Sequence, residues 1–254
     1  MSEGLTARLR GKLDKPADFS EVLAGAWGTL DAGALAARRV VIAGAGSVSL
    51  GDLFEVTGNA GGRIRFVGNL SRANRLGAGL SEGAVVIEGD VGDEVGAGMS
   101  AGSIEVQGSA GDRAGGAAVE ARRGVTGGEL VIRGAVGAEA GSRMRRGLLA
   151  IGGDAGDHAG MGTLAGTIVV FGDAGPSPGL WSKRGSIVAL GSVAVPSTYR
   201  YACTYRPAIL ALILGRLRAR YSLPVHEGHL SGSYRRYSGD LADLGKGEIL
   251  AWTA

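Results

Sequence analysis

One cysteine, Cys203, in 254 residues excludes an internal disulfide and any iron–sulfur or zinc cluster ligated by cysteines of this chain alone. That scarcity fits a reduced, cytoplasmic setting. Six prolines, and no glycine at every third position, exclude a collagen triple helix in spite of 48 glycines. Long apolar runs are missing too. The longest, Ala208 to Leu214, is far too short to cross a bilayer, and the opening MSEGLTARLRGKLDKP has no secretory h-region. Acidic residues are missing from Ala174 to His226, a stretch that holds Lys183, Arg184, Arg200, Arg206, Arg216, Arg218 and Arg220. Such a block suits an anionic partner, while a net charge of +3 is too small to imply nucleic acid.

What the chain has instead is a repeat. From Ala84 to Gly185 it divides into AVVIEGDVGDEVGAGMSAG, SIEVQGSAGDRAGG with a longer tail, ELVIRGAVGAEAGSRMRRG, LLAIGGDAGDHAGMGTLAG and TIVVFGDAGPSPGLWSKRG. Four of the five lines are 19 residues long, and all share G-x-x-G-x-x-x-G columns, from Gly89/Gly92/Gly96 to Gly172/Gly175/Gly179. Each line opens with a pentad whose second and fourth residues are apolar: Val85/Ile87, Ile104/Val106, Leu130/Ile132, Leu149/Ile151 and Ile168/Val170. Alternation with β-branched residues reads as a strand, and a fixed period near 20 reads as a solenoid. Small residues such as Val91, Val95, Ala110, Ala114, Ala155 and Ala159 suit a narrow interior. The simplest object with these properties is a parallel β-helix whose seven coils, about 4.8 Å apart, make a rod of ~34 Å. A hydrophobic fraction of 45% argues against disorder. A leucine-rich horseshoe would need leucine and asparagine columns that are missing.

The expected organisation is an N-terminal lead segment and cap over 1–52, the glycine-repeat β-helix over 53–195, and a C-terminal helix and tail over 196–254. Leu5 to Leu13 reads as a half-exposed lead strand, Asp18 to Leu30 has helical potential, and Val40 to Ala43 is a short strand. Leu53 to Gly58 and Arg63 to Gly68 have the opening form of the repeat, with Phe54/Val56 and Ile64/Phe66 inward. The line from Ser103 carries about seven extra residues around Arg122-Arg123-Gly124, which map to a loop on one face. Outward positions change from Arg65, Glu88, Glu105, Gln107 and Arg133 to Val169, Phe171, Val188 and Leu190, so later coils need a cover. The stretch after Pro207 supplies a helix for it, with Ile209, Leu210, Ile213, Leu214 and Leu217 as its apolar side; a partner subunit is the second possible cover. The tail ends in a strand-like piece, Glu248 to Trp252.

Catalytic chemistry is sparse. Val40 to Gly46 resembles the start of a dinucleotide fingerprint, but Ser49 replaces the third glycine and no helix follows. His226 and His229 are too few to hold a structural or catalytic zinc and read as a solvated tail. His158 reads as a turn residue in a column shared with Glu94, Arg113 and Glu139. Cys203 reads as packed under the terminal helix. Asp90, Asp154 and Asp173 lack the calcium β-roll pattern and read as acceptors for turn amides. The basic corners remain. Arg145/Arg146 and Lys183/Arg184 fall two coils apart, ~9.6 Å by strand spacing; they read either as a ladder for an extended polyanion or acidic partner or as solvated charge.

The glycine triplets resemble the repeat domain at the C-terminal end of the glutamate synthase large subunit, which implies a right-handed parallel β-helix without catalytic residues. Gly185-Ser-Ile-Val-Ala-Leu-Gly191, Thr198-Tyr-Arg-Tyr-Ala-Cys-Thr-Tyr-Arg-Pro207 and Tyr234-Arg-Arg-Tyr-Ser-Gly-Asp-Leu-Ala-Asp-Leu-Gly-Lys-Gly-Glu-Ile249 extend the likeness to the family of formylmethanofuran dehydrogenase C subunits. Within it, the bacterial formyltransferase/hydrolase complex of methylotrophs is the nearest in kind. That resemblance implies a non-catalytic subunit beside the A, B and D subunits. The complex moves a formyl group from tetrahydromethanopterin to a methanofuran-type carrier and releases it as formate. Neither a cofactor nor a metal is implied on this chain. In the dehydrogenase alternative, a molybdenum or tungsten pterin sits on another subunit. The carrier's glutamate-rich tail is what makes Arg145, Arg146, Lys183 and Arg184 candidate binding residues. A third reading, a free-standing β-helical acyltransferase, would need a catalytic base at a subunit interface.

Overall fold

Residues 4–253 are described by the computed structural model; Met1 to Glu3 of the expected lead segment and Ala254 of the expected tail lie outside them. The N-terminal part forms β1 (Leu5–Leu9), β2 (Ala17–Asp18), α1 (Ala32–Ala36), β3 (Arg39–Ile42), β4 (Gly46–Ser49), α2 (Leu50–Leu53) and β5 (Phe54–Thr57). The repeats contribute β6 (Arg63–Val67), a short β7 (Ala73–Asn74), β8 (Ala84–Glu88), β9 (Ser103–Val106), β10 (Glu129–Ile132), β11 (Leu148–Ile151), β12 (Thr167–Val170) and β13 (Ser186–Ala189). Last come β14 (Arg200–Tyr205), α3 (Ala208–Tyr221), α4 (Glu227–Ser231), β15 (Ser233–Gly239) and β16 (Gly247–Thr253).

The protein is mostly β, built on one 12-stranded sheet in the order β14-β15-β16-β13-β12-β11-β10-β9-β8-β6-β1-β5. From β6 to β13 every neighbour is parallel and in register, pentad against pentad. Each line of sequence thus returns to the same place one strand further on. A second line of contact runs beside the first as single parallel bridges, Leu70 to Val91 to Ala110 to Val136 to Ala155 to Ala174 to Val193. The pentads' second and fourth residues are buried between these two lines, with Val95, Ala114, Ala140 and Ala159 also fully enclosed. Burying each large aliphatic side chain there contributes about 1.5–3 kcal/mol.

Two glycines show what the columns do. A Cβ on Gly137 would collide with the Asp112 carboxylate and come within 2.9 Å of the Asp112 backbone nitrogen, so this column lets neighbouring lines touch backbone to backbone. Gly141 has φ +67 and supplies the left-handed turn. The aspartates tie one line to the next rather than to their own turns. Oδ1 of Asp90, Asp154 and Asp173 accepts the N–H of Ser109, Asp173 and Ser192, each at 2.8 Å. His158 sits at φ 61 in the same left-handed column as Glu94, Arg113 and Glu139.

The ends depart from the sequence reading. β5 is not a stacked coil: it runs antiparallel to β1, which in turn inserts parallel beside β6. Alternation of Phe54 and Val56 marks a strand but carries no direction. Asp18 to Leu30 forms no α-helix beyond a 3-10 turn at Trp27–Thr29; its glycines leave it as an irregular plug that buries Phe19, Val22, Leu23 and Trp27. Phe19, Phe54 and Phe66 stack edge-to-face there, with centroids 5.9 Å apart. At the other end β16 pairs parallel with β13 and continues the ladder, with β15 and β14 added antiparallel beyond it.

α3 covers the side of the sheet, over its later strands. Its Leu210, Leu214, Leu217 and Tyr221 pack on the outward residues Val131, Ala150, Val169, Val188 and Leu250, the face that turned apolar along the sequence. Ile209, expected on that buried side, is 65% exposed, as is Leu212 at 71%. Among the described residues no helix is long and apolar enough to cross a membrane.

Candidate functional site

The basic corners are built by the repeat itself. Arg145 and Arg146 follow Met144, whose burial fixes the corner after the turn that ends at Arg143, and Arg184 occupies the position of Arg146 two lines later. Arg123, Thr126, Arg145, Arg146, Leu164, Ala165 and Arg184 line one shallow groove of about 450 Å³. No carboxylate borders it. Arg145, Arg146 and Arg184 are exposed, and none of the four arginines forms an ion pair among the described residues.

Lys183, the fourth residue of the expected ladder, is turned to other use. Its Nζ lies 3.5 Å from Asp243 Oδ2, which helps hold the loop after β15. Arg123 takes its place. It belongs to the seven-residue insertion, whose Gly124 is out of register with the corner glycines yet approaches the Ser142 and Gly116 backbone closely enough that no Cβ would fit. The insertion is tied down by its neighbours, Arg143 Nη1 donating to the Ala121 carbonyl at 3.2 Å, and this folds Arg123 back onto the corner.

A second cleft of similar size is internally neutralised. Arg75, Arg113, Asp93 and Glu94 line it beside Ala118 to Ala121. Glu94 accepts from Arg113 Nε at 3.0 Å, and Arg75 reaches Asp18 at 3.1 Å. A cleft whose charges already pair attracts neither sign strongly. The same holds for much of the acid-free stretch: Arg216 and Arg220 lie 2.7 and 3.3 Å from Glu129, and Arg218 lies 2.6 Å from Glu227. Glu129 lies far from that stretch along the chain, and Glu227 directly after its end.

The remaining chemical candidates lie apart from the groove. Cys203 is exposed rather than packed under α3, because β14 lies at the sheet edge. His229 is buried, not solvated: its ring meets Trp252 edge-on at 4.5 Å, and its Nδ1 accepts the His226 N–H at 3.3 Å. Burial, with the His226 charge second, lowers its pKa. Val40 to Gly46 lies in the β3–β4 hairpin; a helix does follow, the four-residue α2, but only after β4, so the glycine turn does not open onto a helix N-terminus that would receive a pyrophosphate. Among the described residues no group of three or more His, Cys, Asp or Glu side chains is placed to hold a metal ion. Burial works to raise the pKa of Asp240, but the amides of Ala242 and Trp181, which donate to its carboxylate at 2.9 Å, outweigh it and hold the carboxyl below its usual range. That network fixes the loop carrying Asp243. The groove thus gathers four arginines, none of them in an ion pair among the described residues, into one patch of positive charge.

No family model matches the chain. It is 38% identical over 90 residues to the C subunit of the formyltransferase/hydrolase complex Fhc of Methylorubrum extorquens, a stretch that covers 35% of this chain and 34% of that relative. Among solved structures it is similar to a chain of the crystal structure of the formyltransferase/hydrolase complex (FhcABCD) from Methylorubrum extorquens in complex with methylofuran. There the TM-score is 0.77 and the identity 35%, over 98% of this chain and 100% of that one.

Proposed function

This chain belongs to the family of formyltransferase/hydrolase complex C subunits, and from that premise we propose that it is the non-catalytic structural subunit of such a complex. The observation that carries this reading is the end-to-end likeness, 98% of one chain on 100% of the other, to a subunit of an assembled enzyme. In this role the stacked repeats close into a right-handed parallel β-helix, a stiff wall against which the A, B and D subunits dock. Formyl transfer from tetrahydromethanopterin to a methanofuran-type carrier, and release of formate, belong to those partners. In the same reading 1–52 closes one end of the wall, 53–195 forms it, and 196–254 braces its far side.

The groove of Arg123, Arg145, Arg146 and Arg184 gives the wall a second role, holding the glutamate-rich tail of the carrier or an acidic partner face. Guanidinium groups suit it: they keep their charge at any working pH and grip carboxylates two oxygens at a time. Co-expression tests the reading. A tagged chain should bring down the A, B and D subunits in one assembly, and the chain by itself should transfer no formyl group. Recovery of the chain alone, or turnover by it alone, overturns the proposal.

A further inference from the structure

The two edges of the 12-stranded sheet are treated differently. β5, at one edge, has four residues and is packed upon by α1 and α2. β14, at the other, is exposed at all six residues, Arg200 to Tyr205, and pairs only with β15. An open edge of that length offers about three unpaired backbone N–H and C=O groups to any extended segment laid beside it. Apolar surface continues from it: Tyr201 and Tyr205 are 59% and 38% exposed, and Ile209 and Leu212 follow on the outer side of α3.

We propose that β14 is the docking edge for an acidic, extended segment of a neighbouring subunit, which adds to the sheet as a further strand. This rests on the reading of the chain as a subunit of a complex and names one of its contact surfaces. Charge selects the occupant. Neither β14 nor β15 contains an acidic residue. Arg236 is paired with Glu248 at 2.8 Å, while Arg206 and Arg235 are exposed and without an ion pair among the described residues. Among the described residues the Arg200 side chain donates to the Ser197 carbonyl alone, at 2.8 Å.

A second copy of the chain is the wrong partner on the same grounds. Antiparallel pairing of two β14 edges would set Arg200 of each against the Tyr205 and Arg206 end of the other, like charge against like. The ladder irregularity between Tyr201 and Cys203 further discourages indiscriminate edge pairing. An acidic strand removes the repulsion, and Tyr201, Tyr205 and Ile209 give it apolar anchors.

Cys203, the chain's one cysteine, lies in the middle of this edge and reports on it. Maleimide labelling of Cys203, located by peptide mass spectrometry, and hydrogen exchange of the β14 amides are compared in the isolated chain and in the assembly with the A, B and D subunits. Labelling and exchange should both slow by about tenfold or more in the assembly. Arg206→Glu combined with Arg235→Glu should weaken assembly about tenfold at low salt and less at high salt, with Lys at both positions restoring it. An assembly that forms with Cys203 and the β14 amides as open as in the free chain overturns the edge and leaves the subunit reading standing. Dimers of the isolated chain cross-linked through Cys203 overturn it in favour of a second copy. Failure to assemble at all overturns the subunit reading, and the edge with it.

Discussion

The hydroxyl of Tyr221, the last residue of α3, donates to the carboxylate of Glu129, the first residue of β10, at 2.8 Å. The same carboxylate takes Arg216 and Arg220, so one side chain at the edge of the apolar face anchors three from the helix. Glu129→Ala leaves the buried Tyr221 side chain without its acceptor, and it should cost about 1–3 kcal/mol, with Tyr221→Phe costing about 1 kcal/mol. Urea unfolding followed by circular dichroism measures both. Values equal to the parent would mean that the apolar contacts alone hold α3.

Alkali should loosen the same region. Burial raises the pKa of Tyr199 and Tyr234 to about 12, and burial followed by the Glu129 carboxylate raises that of Tyr221. Tyr199 donates to the Gly179 carbonyl at 2.9 Å and Tyr234 to the His229 carbonyl at 2.6 Å. A phenol whose folded pKa lies above its unfolded one stabilises the fold fully below the unfolded value, about 10. That contribution is lost as pH rises through the folded value, because the unfolded chain gives up its protons first. Stability should therefore fall between about pH 10 and 12. Tyrosinate absorbance should rise with the loss of ellipticity, and early, fully reversible ionisation of these tyrosines in folded protein would contradict it.

The glycines separate into those that can and cannot accept a methyl group. Gly137→Ala meets the Asp112 backbone of the line beneath; the collision has to be relieved by parting two lines, at a cost of about 1–3 kcal/mol. Gly215, in α3, has no atom within 4 Å of a built Cβ and no positive φ, so Gly215→Ala should stabilise by about 0.5–1 kcal/mol. Thermal melts of the two variants should move in opposite directions.

The legible part of this fold was the part with a period. A spacing of 19 residues fixes which residues lie over which, and so it placed Arg146 and Arg184 on one column and the pentad residues inside. Direction and remote partners left no such trace. β1 sits beside β6 although Leu9 and Arg63 are far apart along the chain, and nothing in the alternation of Phe54 and Val56 distinguishes an antiparallel edge from a coil. Glu129 neutralises arginines near position 216, and Asp243 takes Lys183, pairings that run across the fold. Arg123 reached the groove through an insertion, where the period is interrupted. The exposure of Cys203 followed from β14 being last in the sheet order, a fact of topology rather than of local composition.

The unequal partners of the corner residues make a sharper test of the groove than removing all four expected members together. Arg145, Arg146 and Arg184 border it without a counter-charge, whereas Lys183 is bound to Asp243. An exposed guanidinium–carboxylate contact contributes about 0–1 kcal/mol, so replacing the three arginines with alanine should weaken binding of a short oligoglutamate peptide by about tenfold. The loss should shrink as salt rises, since exposed charges are screened within about 10 Å at 0.1 M. Arg123→Ala should add to it, and Lys183→Ala should instead loosen the loop around Asp243 and leave peptide binding unchanged. Fluorescence anisotropy of a labelled peptide over a salt series measures the peptide binding of every variant, and hydrogen exchange measures the loosening of the loop in Lys183→Ala. Should Lys183→Ala weaken the peptide as much as Arg184→Ala, the groove is not what binds it, and the charge of that corner acts only as a diffuse field.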